Sequence, residues 1–202
     1  MSDRIVVAAL GDSITAGSPA WDPDPRIREL IWNPNPESQY EYWAARADPR
    51  LEFANYGHYG HRTDEIARRL ESCAAGADLL ILQGGVNDIA QRRTVETAAA
   101  NLTGMVRSAR RLGVPVLLAE ALPWNTGWPD AEPAIRRLNQ LIAAIGREES
   151  VVVLPFYETL EDPARPGRMR EEWTSDGDHP SVEGYRLLGE LVASMAARSV
   201  AT

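Results

Sequence analysis

Four short apolar runs, Ile5–Leu10, Leu79–Leu82, Val114–Ala119 and Val151–Leu154, constrain this chain more than any other feature. None alternates with polar residues, and each is rich in Val, Ile or Leu. Such runs predict strands buried on both faces, as in a parallel sheet covered by helices. Pro115 falls near the start of its run, where a strand tolerates proline. Leu51–Ala54 is a weaker fifth candidate. Between the runs the apolar spacing turns helical: Ile66, Leu70 and Cys73; Leu102, Met105, Val106, Ala109 and Leu112; Ile135, Leu138, Ile142 and Ile145; Tyr185, Leu188, Val192 and Met195. Each stripe is read as a face packed on the sheet. Strands alternating with helices through short connections predict a three-layer α/β/α sandwich. The 202 residues suit one domain, expected to span 1–202, and no linker or internal repeat divides them.

Composition then removes several functions. The net charge is −8, with no basic tail or stripe, so nucleic acid is not an expected partner. All 21 basic residues are Arg. Without Lys, Schiff-base chemistry and a phosphate loop both lose their essential side chain. No GxGxxG follows a strand, which leaves dinucleotide binding without support. The lone Cys73 can form no intrachain disulfide and reads as a packing residue. The first apolar run has six residues, too few for a signal-peptide core or a membrane span, so the expectation is a cytoplasmic chain with no membrane partner.

Two segments break the rhythm. The insertion at about 18–38 holds five prolines with Trp21 and Trp32, a density that precludes a regular helix or a central strand. Pro123–Pro129, with Trp124 and Trp128, follows the fourth strand. Both loops are expected to border a pocket, where the four tryptophans either bind substrate or pin the loops.

Ligands of parallel α/β sheets bind beyond the carboxyl ends of the strands. Four polar, Gly-rich clusters are expected on that rim: Gly11–Thr15, Asn55–Gly60, Gly84–Asp88 and Asp176–Pro180. Ser13 lies on a tight strand-to-helix turn and needs a base to become a nucleophile. Of the three histidines, only His179 has a carboxylate three positions before it, Asp176, with Gly177 to make the turn. Asp178 is expected to point away from the neighbouring ring. The Gly60 and Ser13 N–H groups and the Asn87 amide can serve as oxyanion donors. Taken singly, Ser13 and His179 also read as caps, Gly60 as a turn glycine, and Asn87 as a residue bonded to local backbone. His58, His61 and Asp64 invite a metal reading, but no other ligand cluster supports it, and loop or pocket lining is preferred. No metal is expected.

The order of these clusters resembles the SGNH/GDSL hydrolases. The resemblance runs from Gly11 to Pro180 through Gly-Asp-Ser-Ile-Thr, Asn55-x-Gly57-x-x-Gly60-x-x-Thr63, Gly85-x-Asn87-Asp88 and Asp176-x-x-His179-Pro180. It implies a flavodoxin-like, five-stranded parallel sheet and a serine esterase that needs no cofactor. Ser13 would be its nucleophile, His179 its base and Asp176 its acid, with Ser13, Gly60 and Asn87 around the oxyanion. Two departures stand out: Asp178 occupies a position that is often apolar in the family, and the insertion after the first block is long. The expected substrate is a small-molecule ester of a short acyl group, on a carbohydrate or aryl alcohol. An acyltransferase using the same site, or a non-catalytic binding module, are the alternatives. The sequence leaves the oligomeric state open.

Overall fold

The computed structural model describes residues 4–199. In chain order, β1 (Ile5–Gly11) leads into α1 (Ser13–Ala16), α2 (Pro25–Arg28) and α3 (Tyr40–Ala47). After β2 (Leu51–Gly57) come α4 (Thr63–Ala67) and α5 (Leu70–Ala74), then β3 (Leu79–Leu82), α6 (Val86–Ala90) and α7 (Val95–Arg111). The chain continues through β4 (Val116–Ala119), α8 (Ala131–Glu148), β5 (Val152–Leu154) and α9 (Phe156–Leu160). A 3₁₀ turn over Glu171–Trp173 precedes α10 (Val182–Ser199).

The five strands form one parallel sheet in the order β2-β1-β3-β4-β5, with Gly11 opposite Gly57 and Ala8 opposite Leu80. Alternate strand residues feed two separate cores, which is why the runs are continuously apolar. Ala8, Leu10, Leu80, Leu82 and Leu118 face α4, α5, α7 and α8. Val7, Ala9, Leu79, Ile81 and Leu117 face α3 and α10. Helices on both faces make the three-layer sandwich expected from the pattern, and the five-stranded parallel sheet is the flavodoxin-like one that the resemblance implies. The chain winds outward in both directions from β1 and β3, so the topological switch point lies between their carboxyl ends.

Local differences have physical causes. β2 runs on to Gly57 because it pairs with β1 along seven residues, so Asn55 and Tyr56 belong to the strand rather than to the loop after it. The Ile66–Cys73 stripe is two short helices: at Arg69 the N–H bonds Ile66 O, three residues back, and the helix tightens for one turn. Leu112 is half-exposed and caps α7 instead of packing on the sheet. The 18–38 insertion is irregular apart from the single turn of α2, started by Asp24 accepting from Arg26 N–H with Pro25 at the first helical position.

Gly57 shows how closely β2 approaches the turn carrying Ser13. A Cβ there would fall on the backbone N and Cα of Ala16, well inside contact distance. Backbone cannot swing away as a flexible side chain can, so Gly57→Ala is expected to destabilise the protein by about 1–3 kcal/mol or more. A urea-unfolding midpoint equal to that of the native protein would contradict this packing.

Candidate active site

β1 ends at Gly11, and Asp12 starts α1 by accepting from Ile14 N–H at 3.0 Å. Its second oxygen accepts from Gln83 Nε2 at 3.1 Å, while Gln83 Oε1 accepts from Asp12 N–H at 3.2 Å and Thr15 Oγ1 at 3.0 Å. Asp12 is fully buried; burial drives its pKa up to about 6, against the pull of the bonds from Ile14 and Gln83. These bonds tie the ends of β1 and β3 together at the switch point. Arg69 adds a brace on the other side, donating to Tyr56 O at 2.7 Å and Gly11 O at 3.1 Å. Neither Gln83 nor Arg69 stands out in the sequence, since each acts across dozens of residues.

Ser13, the first residue of α1, projects from this braced turn. Its Oγ lies 3.0 Å from His179 Nε2, and His179 Nδ1 lies 2.8 Å from Asp176 Oδ2. The other Asp176 oxygen accepts the backbone N–H groups of His179 at 2.7 Å and Asp178 at 2.8 Å. Burial pushes the Asp176 pKa up, but these hydrogen bonds outweigh it and hold the carboxyl below its ordinary value. The carboxylate thus fixes the loop and the ring at once. A proton on Nδ1 satisfies Asp176 and leaves Nε2 as an acceptor for the Ser13 hydroxyl.

Gly60 and Asn87 line the same cleft, of about 210 Å³, with Ser13 and His179. Gly60 has φ +75, and open space where a Cβ would sit, so glycine is required for its backbone and not for room. Asn87 Nδ2 donates one bond, at 3.1 Å, to His61 O; an amide carries two hydrogens, so one remains uncommitted. Among the described residues, the N–H groups of Ser13 and Gly60 have no protein acceptor. Asp88 joins the two loops, accepting from Thr63 N–H at 2.9 Å and Thr63 Oγ1 at 2.8 Å. The arrangement can hold a carbonyl carbon beside a hydroxyl whose proton has an acceptor, with donors left over for developing negative charge.

Of the four tryptophans, only Trp124 lines the cleft. Trp128 packs edge-on against it, 4.9 Å between centroids, under the Arg92 guanidinium. Trp21 lies beneath Arg28 at 4.5 Å, and Trp32 is fully exposed. Three of the four therefore do not line this cleft. The His58 and His61 rings stack 3.8 Å apart, while Asp64 is engaged by Arg62 and Arg68. Among the described residues no group of three side chains could hold a metal ion. A larger groove, of about 650 Å³, lies at the amino ends of β4 and β5, and none of the four sequence clusters reaches it.

A doubly wound parallel sheet with a serine–imidazole–carboxylate chain at its switch point has the arrangement of a hydrolase-type α/β protein. The sequence matches the GDSL-like Lipase/Acylhydrolase family over residues 9–187, and the chain belongs to that family. Membership supports a hydrolase of esterase type. Solved structures share the fold. A G-D-S-L-family protein from Desulfitobacterium hafniense DCB-2 is 24% identical with a TM-score of 0.78, the alignment covering 95% of this chain and 99% of that one. A member of the lipolytic protein G-D-S-L family from Veillonella parvula DSM 2008 is 21% identical, with a TM-score of 0.76 and coverage of 96% and 98%. An aryl esterase from M. smegmatis is 18% identical, with a TM-score of 0.74 and coverage of 96% and 99%. No curated protein matches the sequence. No helix among the described residues is long and apolar enough to cross a membrane.

Proposed function

We propose that the protein is a serine esterase that hydrolyses small-molecule esters of short carboxylic acids, in two acyl-transfer steps and without a cofactor. The observation that carries this reading is the unbroken chain from Ser13 Oγ through the His179 ring to Asp176. In the first step Ser13 Oγ bonds to the ester carbon while its proton moves to His179 Nε2. The imidazolium returns that proton to the departing alkoxide as the ester C–O bond breaks. In the second step water attacks the acyl-serine, giving its proton to His179, and the Ser13 oxygen leaves with that proton. Asp176 holds the ring in the useful tautomer and stabilises its charged form. The Ser13 and Gly60 N–H groups and the free Asn87 hydrogen receive the oxyanion. The preference for a short acyl group rests on the cleft: about 210 Å³ falls below the roughly 300–1,000 Å³ of sites for drug-sized ligands.

Two measurements test the reading. A fluorophosphonate should label Ser13, identified by peptide mass spectrometry, and acetyl and butyryl esters should turn over faster than a long-chain ester of the same alcohol. An unlabelled Ser13 removes the nucleophile; a long-chain preference removes the short-acyl assignment. For the oxyanion, Asn87→Ala is expected to cost on the order of 10²–10³ in turnover while the protein stays folded. Native turnover in that variant would take Asn87 out of the site.

A further inference from the structure

Asp178 stands beside the base and plays no part in the proton relay. Its carboxylate Oδ1 accepts from Trp124 Nε1 at 2.5 Å and from Thr126 Oγ1. Its backbone neighbours reinforce that link, with Asn125 N–H donating to Gly177 O at 2.7 Å. The Pro123–Pro129 loop is therefore fastened to the loop that carries Asp176 and His179. Among the described residues, Asp178 Oδ2 has no protein donor and no Arg pairs with the carboxylate, although Asp178 lines the cleft.

The cleft's other lining groups sharpen the consequence. The chain has 21 basic residues, all Arg, and none lines this cleft. Ile14, Val86, Leu122, Pro123 and Trp124 give apolar walls, and Asp178 is the sole carboxylate on them. Its side of the cleft follows from the chemistry. The departing oxygen must reach His179 Nε2 to receive a proton, so the alcohol portion lies beside the imidazole. Asp178 immediately precedes that ring, and Tyr59 flanks it with a centroid separation of 6.5 Å.

We propose that Asp178 is a specificity-determining residue on the alcohol side of the cleft, selecting esters whose alcohol carries an ammonium group or a hydrogen-bond donor and rejecting those carrying a carboxylate or phosphate. This rests on the esterase reading above and narrows its substrate class. A carboxylate within contact distance of a substrate charge in a cleft walled by apolar groups acts far more strongly than one in open water. Trp124 and Thr126 keep it in place without neutralising it.

The test uses matched acetate esters of three alcohols of similar size: an ammonium-bearing, a neutral hydroxyl-bearing and a carboxylate-bearing one. For the native protein, kcat/KM for the ammonium ester should exceed that for the carboxylate ester by at least about tenfold. The ratio should persist in part at high salt, where the long-range field of the net −8 charge is screened. Asp178→Asn keeps an oxygen for Trp124 and Thr126 but removes the charge, and should cut the ratio about tenfold, mostly through KM. Trp124→Phe removes one donor and keeps the charge, and should retain the discrimination. A native ratio near one, or one unchanged in Asp178→Asn, overturns the proposal, and the first outcome requires no variant. Failure of the esterase reading looks different: Ser13 stays unlabelled by fluorophosphonate and none of the three esters is hydrolysed.

Discussion

Ser13→Ala is expected to lower turnover of an activated acetyl ester by on the order of 10⁵–10⁶, the scale seen when a serine hydrolase loses its nucleophile. Removing the hydroxyl leaves no atom to form the acyl intermediate, and His179 then has nothing to deprotonate but water. The residual rate would come from the oxyanion donors and from binding. The protein should remain folded: Ser13 is nearly buried, but its hydroxyl makes one hydrogen bond, to His179, whose loss costs about 1 kcal/mol. Initial-rate assays, fluorophosphonate labelling and an unfolding midpoint, measured together, separate lost chemistry from lost structure. A variant with more than a hundredth of native turnover, or one still labelled, would mean that another group attacks the ester.

The second large effect belongs to Asp176→Asn, expected to reduce turnover on the order of 10⁴. The amide oxygen can go on accepting the N–H groups of His179 and Asp178, which now reach Oδ1 at 2.7 and 2.8 Å. The amide nitrogen then faces His179 Nδ1, where Asp176 Oδ2 sits at 2.8 Å in the native protein. Two donors cannot share that bond, so the imidazole proton moves to Nε2 and points at Ser13. The ring keeps its place and loses its function as a base. In the native protein, despite partial desolvation, hydrogen bonds hold the exposed Asp176 below its ordinary pKa, so it remains ionised throughout neutral assay conditions. Its contribution to folding is present above the unfolded-state pKa and is lost only as pH falls through the lower folded value. Steady-state rates across pH 6–9 test this; native rates in the Asn variant would assign the orienting role elsewhere.

The layers of the fold were legible where a strand is buried on both sides. β1, β3 and β4 are apolar on both faces because each face meets its own set of helices. β2 was faint for the opposite reason. It is an edge strand of mostly half-buried residues, including Glu52 and Asn55, and its extent comes from pairing with β1. The tryptophans illustrate a second limit. All four occupy Pro-rich loops of similar composition, yet Trp124 meets the cleft while Trp32 is bare to solvent. Loop composition says that a segment is irregular; it does not say which way the chain turns. Gln83 and Arg69 do not stand out in the sequence, and Asp88 stands there only as part of the third block, because an amide, a guanidinium or a carboxylate gains its role only from a partner brought near by the fold.

Residue types and their spacing were enough, without coordinates, to establish alternating buried strands and helices and the family-like order of the four blocks, and to name the candidate side chains for acyl transfer. Distance was left to tertiary structure. Ser13 and His179 are 166 positions apart, and no local preference controls a separation of that kind. It emerges from the β1–β3 register, the Asp12–Gln83 bonds and the docking of α10, each a packing outcome of the whole molecule. Local propensity acts over a few residues of chain, whereas an active site is a meeting in space.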